Sequence, residues 1–328
     1  MAKRKTTLFI LSIAISLGCL VWVLTGSELR ELPGEIRSLR WGWVALAVVA
    51  DILVYCIQGW RWSLLLTPVA KVPVMKSIRA IYVGLFANEL IPFRAGEAIR
   101  CYLQARWTQL PFSVVVASAI IERIFDGLWL VVGLFVVIRF VRNMPVHFVQ
   151  WGTVLATAVL IGAVVLFVAM LQKDRALRSL SNEGWQKHLR VLIEDLNLIG
   201  FSKYLVYSAL MSLPYLLMQA VVIWAMMRAY ELEDVSPTIA IVMMVLLRLS
   251  SAVPQAPGNL GAFQAVTTIT LTMMFGYDQA LAKRFSFVLW GVVTLPLLIT
   301  GFIALAVTEA KLSELTKEAA AGGGHGTI

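Results

Sequence analysis

The sequence predicts an all-α polytopic membrane protein with six spanning helices and two broken, re-entrant helical hairpins in an inverted repeat. Three observations support this fold class. The chain has 328 residues, of which 59% are hydrophobic and only 14% charged, and its mean hydropathy is +0.82. Long apolar stretches recur along it. Two segments rich in proline and glycine, residues 88–100 and 254–263, interrupt these stretches, one in each half.

Six stretches are long enough to cross a bilayer, which takes about 20 mostly apolar residues. We predict spanning helices near residues 7–25, 43–66, 112–139, 148–171, 204–227 and 285–307. The first follows a basic N-terminus and could also be a cleaved signal peptide. Its apolar run continues past Cys19 to Leu24, which favours an uncleaved helix.

The other apolar stretches flank the two breaks and predict hairpins that enter the bilayer and return. The first pairs residues 74–91 with 96–106, and the second pairs 236–253 with 262–276. We interpret six residues as the structural breaks, namely Pro92, Gly96, Pro254, Pro257, Gly258 and Gly261. Irregular backbone at membrane depth is tolerated only where protein or water covers it, so the breaks indicate a transport site.

Lysine and arginine residues predict the orientation. They are concentrated in the first five residues and in the connection 172–203, which places both, and the C-terminus, on the cytoplasmic side. Residues 43–139 and 204–307 then form two helix–hairpin–helix units that begin on opposite sides of the membrane. This pattern predicts an inverted repeat within a single transmembrane domain over residues 1–310. The alternative is that duplicated helices merely share a loop pattern.

Two further segments have their own character. Within the connection 172–203, Trp185, Leu189, Leu192 and Leu196 recur at helical spacing, which predicts an amphipathic helix at the cytoplasmic surface. The chain turns polar after its last apolar stretch, and we expect residues 311–328 to be disordered.

Several functional classes are not supported by the sequence. The net charge of +9 comes from cations in short connections between apolar runs, so no nucleic-acid partner is expected. The three cysteines and three histidines are scattered, so we expect neither disulfides, nor a metal site, nor a cofactor. HExxH, Gly-x-Ser-x-Gly and P-loop motifs are absent, and we predict that the protein is not an enzyme.

The densest group of ionisable residues lies at the first break. Arg94, Glu97 and Arg100 follow Pro92 at a spacing that puts them along one side of a helix. Two guanidinium groups that flank one carboxylate suit a phosphodiester. These residues are therefore candidates for substrate binding, although positive charges at the cytoplasmic edge of a hairpin would follow the same pattern.

A second group, Glu122, Arg123 and Asp126, lies within the predicted helix 112–139. Ionisable groups at the centre of a membrane helix cost about 2.5–3.5 kcal/mol each, so this group needs partners or a purpose. It either braces the bundle against the first hairpin or belongs to the substrate site.

Three weaker signals remain. Asp51 lies deep in the second apolar stretch and is a candidate partner for an arginine. Arg248 precedes the second break and is a candidate substrate-binding residue. The run Trp60-Arg61-Trp62 is typical of an interfacial aromatic and basic anchor.

The motifs, taken in chain order, resemble one known family. They are Asn88-x-x-x-Pro92-x-Arg94-x-Gly96-Glu97-x-x-Arg100, then Glu122-Arg123-x-x-Asp126, then Pro257-Gly258-x-x-Gly261-x-Phe263. This pattern, over about residues 5–308, is similar to the lysylphosphatidylglycerol synthase transmembrane-region family, also called flippase-like or UPF0104. The resemblance adds Asn88 to the candidate substrate-binding residues. One departure is Asn259, where many relatives have a second glycine.

The resemblance implies a bacterial or archaeal cytoplasmic (inner) membrane protein whose two inverted halves move lipids or lipid-linked molecules between leaflets. In the namesake proteins a separate soluble C-terminal domain performs the aminoacyl transfer. This chain stops soon after its last predicted helix, so that synthase activity is not expected.

Three functional hypotheses follow. The leading one is a translocase that moves lipids with a polar, anionic headgroup, with membrane lipids as its partners. The second is a noncatalytic membrane partner of a lipid- or glycan-modifying enzyme, motivated by the amphipathic connection. A membrane-embedded transferase is the third, based only on the clustered carboxylates. The sequence does not indicate an oligomeric state.

Overall fold

The computed structural model describes residues 17–25, 29–91, 95–140, 146–171, 184–200, 202–251 and 257–308. All regular structure within these ranges is helical, which confirms the predicted all-α class. The predicted tail 311–328 and most of the first predicted span lie outside the described residues.

The helices follow one another along the chain with short connections. They are α1 (residues 17–24), α2 (Leu32–Ser38), α3 (Trp41–Leu66), α4 (Val74–Leu90), α5 (Gly96–Thr108), α6 (Phe112–Phe140), α7 (Val146–Leu171), α8 (Gly184–Ile199), α9 (Lys203–Ala229), α10 (Pro237–Ser250), α11 (Ala262–Ile269) and α12 (Gln279–Val307). A 3₁₀ turn over Pro257–Asn259 precedes α11, and a π turn over Thr270–Met274 extends it.

Three of these helices, α3, α9 and α12, are long and apolar enough to cross a membrane. The helix α6 has 29 residues, but Glu122, Arg123 and Asp126 interrupt its apolar sequence. The helix α12 begins six residues before the predicted 285, because the side chain of Asp278 accepts a hydrogen bond from the Leu281 N–H at 2.9 Å. This cap starts the helix in a polar turn that a hydropathy rule excludes.

The packing of the helices brings the two hairpins together. The helices α3 and α9 pack along each other at the centre, where Val54, Val222 and Met226 are buried. The helix α4 packs on α5, and α10 packs on α11. Each hairpin also contacts the last helix of the other half, since α4 lies against α12 and α10 lies against α6. The helix α4 also lies against the 3₁₀ turn Pro257–Asn259, so described residues beside the two breaks come together.

A glycine contact closes the first hairpin. A Cβ atom on Gly96 would lie 1.7 Å from the carbonyl oxygen of Gly84, so only glycine fits. The Asn88 side chain accepts a hydrogen bond from the Gly96 N–H at 2.8 Å and thereby satisfies the first turn of α5 across the break. Pro92 lies outside the described residues.

Backbone conformation shapes the second break. Gly258 and Gly261 have φ angles of +72° and +87°, in the region that favours glycine. The Gly258 carbonyl accepts a hydrogen bond from the Trp290 indole at 2.8 Å, and the Gly261 N–H donates to the Gln264 side chain at 2.7 Å. Pro257 begins the 3₁₀ turn. Pro254 lies outside the described residues.

The helix α8 lies within the connection 172–203, where the sequence predicts an amphipathic helix. Its residues Ile193, Leu196 and Ile199 are buried, and they pack in a cluster with Leu65 of α3 and Ile121 of α6. The apolar face of α8 thus lies against the bundle.

Candidate functional site

A cluster of charged side chains joins α3, α5 and α6. Its members are Arg61, Glu97, Arg100, Glu122, Arg123 and Asp126. Arg61 of α3 is fully buried and donates a hydrogen bond to Glu122 at 2.8 Å and another to Asp126. It also donates to the Ser212 hydroxyl of α9 at 2.7 Å, so that the second half contacts the cluster as well.

Arg100 connects the first hairpin to this cluster. Its guanidinium donates to Glu122 at 2.9 Å and to Glu97 at 2.9 Å. The same group lies 4.7 Å from the ring centroid of Trp62, within the range of a cation–π contact. Arg100 is 2% exposed, so its charge is satisfied by neighbouring protein groups.

Arg123 lies at the edge of the cluster, where its side chain is 44% exposed. It contacts Glu97 at 3.2 Å and Asp126 at 3.6 Å. The six side chains carry three positive and three negative formal charges, so the cluster is neutral. Removing one partner from such a set leaves an uncompensated buried charge, which makes the cluster a brace between the hairpin and its neighbours.

The sequence-based interpretation of Trp60-Arg61-Trp62 as an interfacial anchor is wrong for two of its residues. Trp60 is 49% exposed, whereas Arg61 and Trp62 are completely buried. Successive helix residues point in different directions, and α3 turns Arg61 towards the carboxylates of α6. The sequence does not reveal the direction of the Arg61 side chain, because the apolar residues next to it lie on another face of α3.

A cavity of about 220 Å³, with both charged and apolar side chains in its wall, is lined by residues that lie beside both breaks. Asn88, Glu89 and Glu97 line it on either side of the first break, and Gly258 and Asn259 line it at the second. Its charged lining residues are Asp51, Glu89, Glu97, Arg123 and Arg248. The cavity is therefore bounded by both hairpins and carries groups of both signs.

Arg248 of α10 reaches the cavity from the second half. Its guanidinium donates to the Gln219 side chain at 2.6 Å and to the Tyr215 hydroxyl, both on α9. The Tyr215 ring centroid lies 4.9 Å from the guanidinium carbon of Arg61 and 5.1 Å from that of Arg248. Tyr215 therefore links the charged cluster to the cavity.

An apolar groove of about 730 Å³ adjoins the cavity. Side chains of α5, α6 and α7 form most of its wall, including Val116, Leu130 and Val159. Four residues, Glu97, Arg123, Arg248 and Ser251, line both the groove and the cavity. The two spaces therefore adjoin at these four residues, and the groove has the more apolar lining.

The sequence profile of one protein family, described as the lysylphosphatidylglycerol synthase TM region, matches residues 9–301. The chain belongs to this family. A UPF0104 membrane protein of Methanocaldococcus jannaschii is 26% identical over 142 residues, which are 42% of this chain and 41% of that relative. Another UPF0104 membrane protein, from Methanothermobacter thermautotrophicus, is 20% identical over 299 residues, or 81% of this chain and 85% of that protein. No solved structure matches.

The predicted substrate-binding residues of this family member fall into three groups. Asn88 and Arg248 line the cavity, and Glu97 and Arg123 line it while also belonging to the charged cluster. Arg100, Glu122 and Asp126 belong to the cluster alone, and of these only Asp126 reaches the groove. Arg94 lies outside the described residues.

Sequence reasoning missed several polar residues at this site, notably Glu89, Tyr215 and Gln219. Tyr215 and Gln219 are spaced i, i+4 in an otherwise apolar helix, so they share a face. That spacing was a usable signal for a polar stripe. The sequence alone does not predict that Tyr215 and Gln219 contact Arg248, because α9 and α10 meet only in the folded chain.

Proposed function

We propose that the protein is a lipid translocase that moves polar headgroups between the leaflets without an ATPase of its own. The observation that carries this proposal is that a cavity with charged side chains adjoins an apolar groove and shares four wall residues with it. Together they have the shape of an amphiphile, with room for a headgroup at the junction of the two breaks and for an acyl chain between α5, α6 and α7.

The physical reason lies in the barrier to unassisted flipping. A headgroup that enters hydrocarbon loses its hydration, which is costly for phosphate and other polar groups. The cavity offers charged, hydroxyl and amide groups that replace this hydration. The groove keeps the tail in an apolar environment while the headgroup crosses.

The packing supports an inverted repeat as the scaffold of this activity. The corresponding helices have similar lengths: α3 and α9 have 26 and 27 residues, and α6 and α12 have 29 each. The hairpins contact the opposite halves reciprocally, as a twofold arrangement requires. Inverted repeats bind substrates at their interface, where the cavity lies. The proposal includes six spans, with both termini on the cytoplasmic side of a bacterial or archaeal inner membrane.

Lipid chemistry is not part of the proposal. The carboxylates that suggested a transferase, Glu122 and Asp126, are paired with buried or half-buried guanidinium groups. We therefore expect lipid masses to be unchanged by the protein. The scaffold hypothesis, with a lipid- or glycan-modifying enzyme as partner, stays a prediction. The apolar face of α8 that motivated it packs against α3 and α6.

Reconstitution into liposomes tests the proposal. Lipids with a fluorescent acyl label and a native headgroup are bleached from outside by dithionite, and the rate of loss of protected signal measures flipping. The variant Ser251→Trp places an indole where cavity and groove join, and we expect it to slow flipping about tenfold or more. Leu210→Trp, on an exposed face of α9, is the matched control and should flip lipids at the wild-type rate.

A second variant guards against misfolding. Gly162 lines the groove, and an added Cβ would meet no atom within 4 Å, so Gly162→Leu narrows the groove without a clash in the fold. It should keep the wild-type melting temperature and flip more slowly. Equal rates for the wild type, both groove variants and protein-free liposomes would reject the proposal.

A further inference from the structure

Asp51 is a buried carboxylate of the cavity that forms no ion pair with any residue the structure describes. It lies in the middle of α3, is 4% exposed and lines the cavity. Its Oδ2 atom is inaccessible and receives no hydrogen bond within the described part of the chain. By contrast, Glu122 contacts two guanidinium groups.

An ionised carboxylate without a partner is costly in a low-dielectric interior. Tyr55, Glu89, Tyr215 and Arg248 line the same cavity and interact electrostatically with Asp51 or with its neighbour Tyr55. Arg248 is the only cation among these four, and no ion pair joins it to Asp51 among the described residues. A positive group inside the cavity would satisfy Asp51 directly.

Arg248 has the complementary property. Its hydrogen-bond partners, Gln219 and Tyr215, are neutral groups, and within the described residues it forms no ion pair with a carboxylate. A guanidinium has five N–H donors, and those that remain are suited to a phosphate. One wall of the cavity thus presents an anion and another presents a cation.

From these two walls we infer the substrate class, an inference that rests on the proposed function. We propose that Asp51 binds the primary ammonium of a zwitterionic phospholipid headgroup while Arg248 binds its phosphate. This refines the anionic headgroup predicted from the sequence, because the phosphate carries a compensating ammonium. The cavity volume of about 220 Å³ lies below the 300–1,000 Å³ typical of drug-sized ligands, so it fits a small headgroup and not an oligosaccharide.

Asp51 argues against a purely anionic headgroup. Glu97, another carboxylate of the cavity wall, forms ion pairs with Arg100 and Arg123. Among the described residues Asp51 forms no ion pair, and an anion without an ammonium would leave it so.

Flipping assays with matched lipids test this inference. Acyl-labelled phosphatidylethanolamine and phosphatidylglycerol share the phosphate and differ in the ammonium. We expect the wild type to flip phosphatidylethanolamine about tenfold faster than phosphatidylglycerol, because one charged hydrogen bond contributes about that factor. In Asp51→Asn, phosphatidylethanolamine should flip only as fast as phosphatidylglycerol. Asp195→Asn, which changes a buried carboxylate on α8, is the control and should keep the wild-type preference.

Two further measurements close the test. Arg248→Gln should slow both lipids, because both carry the phosphate. Sodium-free buffer at constant pH separates the headgroup ammonium from a free sodium ion: an unchanged preference supports the ammonium, and loss of transport without sodium overturns it. Equal wild-type rates for the two lipids, or a preference that persists in Asp51→Asn, also overturns the inference.

A binding assay separates failure of this inference from failure of the proposed function. Native mass spectrometry of the detergent-purified protein measures how each lipid competes for it. If the wild type flips no lipid, the translocase proposal fails. Preferential binding of phosphatidylethanolamine to the wild type, lost in Asp51→Asn, would still support the Asp51 site, whereas equal binding in both proteins would overturn it.

Discussion

The two hairpins are held in place by different kinds of interaction. The first is tied to α3 and α6 by buried ion pairs that centre on Glu122. The second is held by hydrogen bonds with at most one charged partner, such as those from Arg248 to Gln219 and Tyr215 and from Trp290 to Gly258. Breaking a buried ion pair typically costs 3–5 kcal/mol, whereas a hydrogen bond contributes about 1 kcal/mol between neutral groups and about 1.5–3 kcal/mol with a charged one.

This difference shows how to interpret charges near a membrane break. The charged residues of a dense group can pair with one another, as Arg100 does, and the group then stabilises the fold. Asp51 and Arg248, which form no ion pair within the part of the chain that the structure describes, lie further apart in the sequence and line the cavity. The pairing pattern, more than the density of charges, separates the brace from the candidate binding site.

The largest expected effect is on the brace. Arg61→Met leaves Glu122 without one partner and Asp126 without its closest one, so we expect a loss of about 3–5 kcal/mol in the free energy of unfolding. Arg123→Met removes a half-exposed arginine from the same cluster, where a pair contributes about 0–1 kcal/mol. The melting temperature of the detergent-solubilised protein measures both.

The comparison between these two variants is the informative one. Methionine replaces a long side chain in each case, so the difference reports on burial of the charge. Equal losses for Arg61→Met and Arg123→Met would contradict the brace and indicate that the cluster is solvated.

The next effect concerns the glycine contact of the first hairpin. Gly96→Ala introduces a Cβ atom 1.7 Å from the Gly84 carbonyl oxygen, so the backbone must move, and we expect a loss of about 3 kcal/mol. Gly162→Ala is the control, since nothing lies within 4 Å of its Cβ and alanine favours a helix by up to about 1 kcal/mol. Thermal melting should therefore shift in opposite directions. A neutral Gly96→Ala would show that α4 and α5 are further apart than described.

Much of the fold follows from hydropathy and from the breaks. The limits of α3, α4 and α9 lie within two residues of the predicted ones, because an apolar stretch of bilayer length leaves few alternatives. The early start of α12 was not predicted, because a polar first turn held by Asp278 carries no hydropathy signal.

The candidate site was less predictable. The sequence indicated the charged groups around Glu97 and Glu122 but not Arg61, whose neighbours in sequence are aromatic. Which carboxylate meets which guanidinium depends on helix packing across up to 65 residues of chain, which a pattern of spacings along one helix does not contain. That Asp51 forms no ion pair among the described residues likewise becomes visible only in the folded structure.

A smaller effect is expected at the second break. Gly258 has a φ of +72°, and its Cβ would meet the Glu89 carboxylate at an ordinary 3.5 Å. Gly258→Ala therefore costs backbone strain of about 1–2 kcal/mol without a clash. The melting temperature should fall less than for Gly96→Ala. A fall as large as that of Gly96→Ala would mean that the second hairpin is packed as tightly as the first.

The smallest effect has the opposite sign and concerns a buried carboxylate outside the cluster. Asp195 of α8 is 7% exposed and has no guanidinium partner among the described residues. Burial raises its pKa above the ordinary 3.8, and the neighbouring Glu194 adds to the rise while a hydrogen bond with Ser113 opposes it. Its ionised form therefore destabilises the fold, and this penalty grows as the pH rises from the ordinary pKa through the raised one.

Asp195→Asn removes that penalty, so we expect a small rise in melting temperature at about pH 8 that disappears at low pH, where the wild-type carboxyl is protonated. Glu194→Gln is the matched control, because Glu194 is half-exposed and forms only a surface pair with Arg190 at 3.3 Å. Melting curves over a pH series decide the outcome. If the melting temperatures of Asp195→Asn and the wild type differ by the same amount at every pH, the effect comes from the shape of the side chain and not from its charge. Charge would then not distinguish Asp195 from the paired carboxylates of α6.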